Sequence, residues 1–385
     1  MRKTLTALAT TVVFLLGVGV IVLASASAVR AQGLYGDPHF FVKRQLIWLG
    51  LAVGLVFAVS RFDYHWWREI PEFTVGFYVL VLIALALVFV PGIGVKVNGS
   101  YRWLKFGPIR VQPSEFAKLL AVIAMGGWFD RIGWRAKQFW KGAVWPGIGL
   151  AAVAALIIIE SDFGATLVVM FVGGTLMFVS GTRLWYLLAF GVAALGPAAA
   201  MIAANPNRME RLLAWWAKRS GGTTTSPAAY HVEQALVAFK NGGPWGVGFN
   251  QSIQKYNYLP EAHTDFIFAI GGEEFGFSFS IIILLAFMVI LVCGMLISMR
   301  APDRLGRLLA FGMTLLLVFQ AVFNIGVVTD CLPTKGLALP FISYGGTNLV
   351  AALFAVGTLF NVGRHIDVFD ERMHTQVVKN AAIQV

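Results

Sequence analysis

Ten stretches of mostly apolar residues recur along this chain, most of them close to the length a helix needs to cross a bilayer core of roughly 30 Å. They run over 5–26, 45–60, 72–91, 113–129, 142–159, 163–181, 184–204, 266–298, 307–330 and 344–363. A backbone in hydrocarbon finds no water, so a spanning segment must satisfy its own N–H and C=O groups, as a helix does. The chain is therefore expected to be an all-α polytopic membrane protein, a single transmembrane domain over 1–385. Composition agrees: 58% of residues are hydrophobic and 13% charged, with a mean hydropathy of +0.74. The longest connection, 205–264, follows the seventh stretch and is expected to form a lid. The eighth stretch is too long for one straight crossing. Its first part is expected at the outer interface or re-entrant, with the crossing proper starting near Phe275 and a bend at Gly271-Gly272 or Gly276.

The N-terminal "MRKTLTALATTVVFLLGVGVIVLASASA" has the charged start and A-x-A-like end of a signal peptide. Its apolar part is too long for one and reads as a retained first crossing. Loop charge sets the orientation. With the N-terminus inside, fifteen Lys and Arg fall on the cytoplasmic side and eight in the short outer loops. Both termini are expected inside and 205–264 outside. Two cysteines, Cys293 and Cys331, imply no disulfide framework. The net charge of +11 is scattered among loops without a dense basic run, which fits topology and anionic headgroups, so no nucleic acid is expected as a partner.

Ionisable groups at membrane depth are costly and normally face the bundle interior beside a partner. "QPSEFAKLL" (112–120) opens the fourth stretch and puts Glu115 and Lys118 on one helical face, able to pair. "IIIESDFGAT" (157–166) places two carboxylates in a tight turn, where Asp162 can cap the next helix. "TDCLPTKGLALPFISYGGTN" (329–348) carries Lys335 and Ser343 between breakers, and its apolar content points to a loop that packs into the protein. "YLPEAHTDFIFAIGGEEFG" (258–276) sets His263, Thr264 and Asp265 ahead of an apolar run that contains Glu273 and Glu274. Asp265 reads either as a helix cap or as the carboxylate best exposed to something arriving from outside. On a regular helix Asp265 and Glu273 would lie roughly 12 Å apart along the axis and about 80° apart around it, a poor acid/base dyad and a poor shared metal site. Glu273 and Glu274 need cationic partners, and Lys118 is a candidate.

These stretches resemble the SEDS family, whose members include FtsW, RodA and SpoVE. The similarity covers nearly the whole chain. It is carried by "GVGVIVLASASA", "YGDPHFFVKRQ", "VNGSYRWLKFGPIRVQPSEFAK", "GGPWGVGFNQSIQKYNYLPEAHTDFIFA" and "LPTKGLALPFISYGG". The wording of "LPTKGL" and "ISYGG" is nearer FtsW than RodA. "ESDFGAT" lacks the family's usual proline after the glutamate, "SYGGTN" stands where a serine pair is common, and Ala235 replaces a frequent serine. The resemblance implies a multi-pass protein of the bacterial cytoplasmic membrane. It implies a glycosyltransferase that polymerises lipid II into peptidoglycan at the outer face, in septal wall synthesis, and releases undecaprenyl pyrophosphate. It also implies a class B penicillin-binding protein transpeptidase, FtsI-like, and other divisome or elongasome membrane proteins as partners. The family's motif aspartate in "HTDF" falls on Asp265.

Polymerisation of this kind attacks an anomeric carbon with a sugar hydroxyl and expels a pyrophosphate. The hydroxyl needs one base; the leaving group needs no acid. Asp265 suffices for that role, unlike the paired carboxylates of glycosidases. Arg102, Lys118 and Lys335 are candidate pyrophosphate or sugar contacts, with Glu115, His263, Thr264 and Ser343 also assigned to substrate. Trp103, Tyr256 and Tyr258 read as sugar-stacking or interfacial aromatics. Asp162, Glu273 and Glu274 are expected to support the site. A divalent cation, Mg²⁺ or Mn²⁺, suits a pyrophosphate, although no ligand cluster is visible in the sequence. Two other functions compete: a lipid II flippase, and a non-catalytic scaffold for a transpeptidase. The polar residues gather at one face instead of lining a conduit, which favours the enzyme.

Overall fold

Buried apolar periodicity and self-satisfied backbone make helices the dominant element. The computed structural model describes residues 1–69, 71–97, 100–107, 109–203, 206–220 and 227–383, with 368–383 by backbone alone. The helices are α1 (Arg2–Tyr35), α2 (Phe40–Arg61), the single turn α3 (Trp66–Glu69), α4 (Pro71–Leu87), α5 (Pro113–Ile132), α6 (Trp145–Ile159), α7 (Phe163–Val179), α8 (Leu184–Ala203), α9 (Pro206–Arg219), α10 (Pro227–Gly242), α11 (Ile267–Arg300), α12 (Arg304–Val328) and α13 (Gly346–Ile383). Seven helical segments are long and apolar enough to cross a membrane, and Thr74–Leu87 and Phe163–Val179 are shorter apolar helices. With α5, whose charged residues lower its hydropathy, these account for the ten crossings expected.

The core centres on α12, which packs against α5, α7, α11 and α13. α2 lies along α13, and α1 against α11. α8 stands at the edge, with none of its apolar window buried. Thirty-four residues make α1 roughly 50 Å long, longer than the hydrocarbon core. Its last turns therefore carry Arg30 beyond the stretch 5–26, while Ser25 sits at the end of that stretch; both reach the polar site described below.

The connection between the third and fourth crossings is not a simple loop. It folds as a three-stranded antiparallel sheet of β1 (Gly94–Val97), β2 (Ser100–Phe106) and β3 (Ile109–Val111), in that order. Val95 pairs with Trp103, and Lys105 with Arg110. The turn signals for these hairpins fall on Asn98, Gly99 and Pro108, which lie outside the described residues.

α11 breaks where a bend was expected, at Gly276 (φ 77°, ψ −169°). This left-handed φ suits glycine, and a Cβ there would collide with the Pro244 and Gly246 backbone. The segment before it, Ile267–Glu274, is entirely buried, while Phe277 just beyond is exposed. Of the connection 205–264, the structure describes α9, α10 and residues 243–264. Residues 205 and 221–226 lie outside the described residues. The glycine-rich "NGGPWGVGF" within this connection is tied to the α11 break: Val247 N–H donates to the Glu273 carbonyl (3.0 Å), Gly248 N–H to that of Glu274 (3.0 Å), and Phe277 N–H to that of Gly243 (2.9 Å).

Candidate functional site

Asp265 lies two residues before α11 and does not cap it: the N-cap is Phe266, without a side-chain cap. Its backbone carbonyl accepts from Asn324 Nδ2 (2.9 Å), which also donates to the Leu337 carbonyl (2.5 Å). One buried amide of α12 thus joins the Asp265 segment to the 329–345 loop. The carboxylate is half-buried and accepts no hydrogen bond among the described residues. It rests against Gly336, where any side chain would collide with Asp265 Oδ2. Burial raises its pKa to about 7, helped by the charges of Glu261 and Asp162 and opposed by Arg102 and Arg211. The carboxylate that reads as the one best exposed to an arriving substrate is half-buried against Gly336, and α9 brings Arg211 within its field.

Arg102, on β2, ties the sheet to the α6–α7 turn: it donates to the carbonyls of Glu160 (3.3 Å) and Ser161 (2.6 Å). Trp103 beside it is half-buried. Asp162 does cap α7, accepting from Ala165 N–H (3.2 Å), and also accepts from Gln112 Nε2 (3.1 Å). Glu160 is 1% exposed, and neither carboxyl oxygen has a hydrogen-bond partner among the described residues. Burial and the Asp162 charge push its pKa up to about 9, so it is protonated at neutral pH. Lys335 reaches the same turn, its ammonium 4.3 Å from the centre of the Phe163 ring.

Glu115 and Lys118 form the expected pair, both buried, with Lys118 Nζ 2.9 Å from each carboxylate oxygen. Lys118 also donates to Gln320 Oε1 (2.9 Å). Gln320 Nε2 donates in turn to the Ala338 carbonyl (2.9 Å) and Asn348 Oδ1 (2.8 Å). The pair therefore anchors the 329–345 loop through α12 and is not the partner of Glu273 and Glu274. That cation is Lys255, which bonds Glu274 (3.4 Å), Ser25 (3.0 Å) and Asn250 (2.5 Å). Ser25 also donates to Glu274. Glu273 is held by the Ser252 hydroxyl, Asn241 Nδ2 (3.2 Å) and the N–H groups of Ile253 (3.4 Å) and Gln254 (3.3 Å). Both glutamates thus clamp the 250–255 loop behind Asp265.

His263 packs its ring against Phe41 (4.7 Å between centroids) and Tyr344 (5.9 Å). Burial and Arg30 hold its pKa down to about 4, against Glu261, so the ring is neutral. Thr264 donates to Glu261 (3.1 Å to Oε2) and accepts, through its carbonyl, from the Ser343 hydroxyl (2.6 Å). Ser343 Oγ also accepts from Leu339 N–H (2.8 Å). These side chains join the Asp265 segment to the 329–345 loop. A cavity of about 210 Å³ opens beside them, bordered by Arg30, Lys255, Asn257 and His263. No group of three metal ligands gathers around Asp265 among the described residues, so they do not by themselves form a cation cage.

Lys255, Gln320, Asn324 and Asn348 were not singled out by the sequence. Gln320 and Asn324 left a signal: they lie one turn apart on one face of an apolar span. Lys255 left none, because its loop is polar throughout and only tertiary packing buries it.

A family model described as cell cycle protein, for FtsW, RodA and SpoVE, matches residues 6–367. The chain is 39% identical over 344 residues to the probable peptidoglycan glycosyltransferase FtsW of Geobacter metallireducens, covering 89% of this chain and 90% of that one. It is 37% identical over 355 residues to the stage V sporulation protein E of Bacillus subtilis, covering 91% and 94%. Among solved structures, a chain from "Structural coordination of polymerization and crosslinking by a peptidoglycan synthase complex" matches with a TM-score of 0.75 and 27% identity, over 93% of this chain and 97% of that one. The rod shape determining protein RodA of Thermus thermophilus matches with a TM-score of 0.67 and 26% identity, over 93% and 95%. Agreement of sequence and fold over nearly the whole length establishes that this chain belongs to the FtsW/RodA/SpoVE family, the SEDS proteins.

Proposed function

We propose that this chain is a peptidoglycan glycosyltransferase that polymerises lipid II at the outer face of the bacterial cytoplasmic membrane, with Asp265 as general base. The observation that carries this reading is the Asp265 carboxylate: half-buried, without a hydrogen-bond donor among the described residues, and raised to about pKa 7. A base poised near 7 is efficient at neutral pH. An acceptor sugar hydroxyl attacks the anomeric carbon of the donor, its proton passes to Asp265, and the bond to the pyrophosphate breaks with its electron pair on the leaving oxygen. Arg102 and Lys335, gathered at the α6–α7 turn, are placed to offset the charge of that leaving group. Lys118 is saturated by Glu115 and Gln320 and acts by holding the 329–345 loop. The names of the relatives support peptidoglycan synthesis, and those named FtsW favour a septal role. The similar chain from a synthase complex supports a class B transpeptidase as partner.

The test is polymer formation from lipid II by the purified chain, alone and with its transpeptidase. Asp265→Asn should lower the rate by about 10²–10⁴-fold while lipid II binding persists. Near-parent polymerisation by that variant would remove Asp265 from the chemistry. Lipid II headgroups that become accessible across sealed vesicles without polymer would favour a flippase.

A further inference from the structure

Roughly a bilayer thickness from Asp265, the chain builds a second polar surface. α5 starts beside the candidate site, where Gln112 Nε2 meets Asp162, and its 20 residues run roughly 30 Å to Ile132. The chain then makes a 3₁₀ turn over Gly133–Lys137 and a π turn over Phe139–Val144 before α6 starts at Trp145. Turns of the second kind are rare and occur often at functional sites. Neither turn is a loose loop. Trp128 Nε1 of α5 donates to the Lys141 carbonyl (2.9 Å), and the Thr182 hydroxyl, from the α7–α8 turn, donates to the Gly142 carbonyl (2.9 Å). The Phe139 ring meets that of Tyr186 on α8 edge to face, 5.0 Å between centres.

These bonds bring together cations that the sequence keeps apart. Lys141 and Arg183 each stand one residue from the bond between Thr182 and Gly142, and Arg135 and Lys137 precede Lys141 on the same connection. All four are exposed, and none makes an ion pair among the described residues. Residues 131–145 and 181–185 contain no Asp or Glu, and Asp130 just before them is paired with Arg68 (3.4 Å). The same two segments carry Trp134, Trp140, Trp145 and Trp185, all exposed, with the Arg135 guanidinium 5.9 Å from the centre of the Trp134 ring. From there apolar surface continues along the helices. α6 exposes Trp145 and Ile148, and α8 exposes Trp185 and Leu188. The two helices approach where a Gly147 Cβ would lie 4.0 Å from the Phe190 ring.

We propose that this surface binds an anionic glycerophospholipid, its phosphate on Arg135, Lys141 and Arg183 and its acyl chains along the exposed flanks of α6 and α8. Positive charge in one connection would by itself reflect topology, and tryptophans alone the interface. Here two connections are bonded to each other so that cations without counter-charge converge, and apolar helix faces run on from them. An anionic head on an apolar tail matches both halves. The guanidinium fork suits phosphate oxygens, and basic side chains at a membrane surface favour anionic lipid. An acidic protein segment would meet the cations but leave the apolar flanks unused. On the orientation read from loop charge this lipid belongs to the inner leaflet. The proposal rests on the bundle being embedded in a membrane and is independent of the role of Asp265.

The experiment uses the full chain, delipidated in a neutral detergent and titrated with phosphatidylglycerol or phosphatidylcholine. Native mass spectrometry counts bound lipid, and thermal melting is followed in parallel. Saturable binding of phosphatidylglycerol, under conditions that strip phosphatidylcholine, with a higher melting temperature is the expected result. The triple variant Arg135→Gln, Lys141→Gln, Arg183→Gln should bind phosphatidylglycerol at least about tenfold more weakly and lose the melting shift. Arg183→Gln alone should also weaken binding, because that side chain comes from the other connection; it carries the test if the triple variant melts lower without lipid. The comparison variant Lys96→Gln, Lys105→Gln, Arg110→Gln removes the same charge from the sheet at the other end and should bind like the parent. Equal binding of the two lipids, parent affinity in the folded variants, or the same loss in the comparison variant overturns the proposal. So does saturable binding of a polyglutamate peptide without preference between the lipids, which would make the surface a protein docking site.

Discussion

Asp265 is ionised in the unfolded chain at neutral pH but about half protonated in the folded one, because burial and Glu261 lift it to about 7. An ordinary aspartate titrates near about 3.9. Between about pH 4 and 7 folding takes up a proton at this site, so stability falls as pH rises through that window and is lowest above it. Asp265→Asn removes the cost and should stabilise the protein at pH 8 by about 1–2 kcal/mol, after allowance for its partial exposure; thermal unfolding in detergent at pH 5 and pH 8 measures it. On the proposed role the ionised form takes the proton, so kcat/KM should rise with pH through about 7. An acid limb near 4 would show that Asp265 titrates as if exposed. Lys118 and Glu115 make a different prediction. Both are buried, so Lys118→Met strands a carboxylate and should cost about 3–5 kcal/mol. The double change Lys118→Met with Glu115→Leu should be milder in stability yet still lose activity, because Gln320 loses the ammonium that holds it. Parent-like stability in the single variant would show that the pair is not buried as described.

Among the elements, the break in α11 decides where the Asp265 segment sits. Gly276 combines a left-handed φ with backbone contact to the 243–248 loop. Gly276→Ala should cost about 1–3 kcal/mol in backbone strain alone, with further loss as Pro244 and Gly246 are displaced. Gly174 in α7 has nothing within 4 Å of its Cβ position, and Gly174→Ala should be neutral or stabilising. Equal melting temperatures for the two variants would show that the break is not constrained. Glu273 and Glu274 follow from the same geometry. Carboxylates this deep are tolerated because the 250–255 loop turns its N–H groups, Ser252 and Lys255 onto them.

At the scale of the whole molecule, the helices form a scaffold and the proposed site lies where three connecting pieces meet it: the sheet, the 243–266 loop and the 329–345 loop. The two loops are fixed to α12 by the buried Asn324 and Gln320, and the sheet to the α6–α7 turn by Arg102. The orientation inferred from loop charge puts these pieces outside. Trp245 is 83% exposed, so Trp245→Cys in a Cys293→Ala, Cys331→Ser background should react with an impermeant thiol reagent added to intact cells. Labelling only after the inner face is opened would invert the topology.

The spans, their number and the bend in the eighth were legible because bilayer thickness and backbone satisfaction act on local sequence, one segment at a time. So was the pairing of Glu115 with Lys118, since a three-residue helical spacing fixes which side chains can meet. The outer sheet was less legible: its hairpin signals are short and sit in a stretch that apolar periodicity marks only as a gap. The partner of Glu274 was not legible at all. Lys255 lies nineteen residues away in a polar loop, and nothing in that loop says it will be buried. Nor could the sequence show Asp265 sheltered against Gly336, because that contact is made by a loop some seventy residues downstream. Local pattern determines which segments cross. Long-range packing of the outer loops decides which carboxylates are desolvated, and so which of them has a pKa suited to taking a proton.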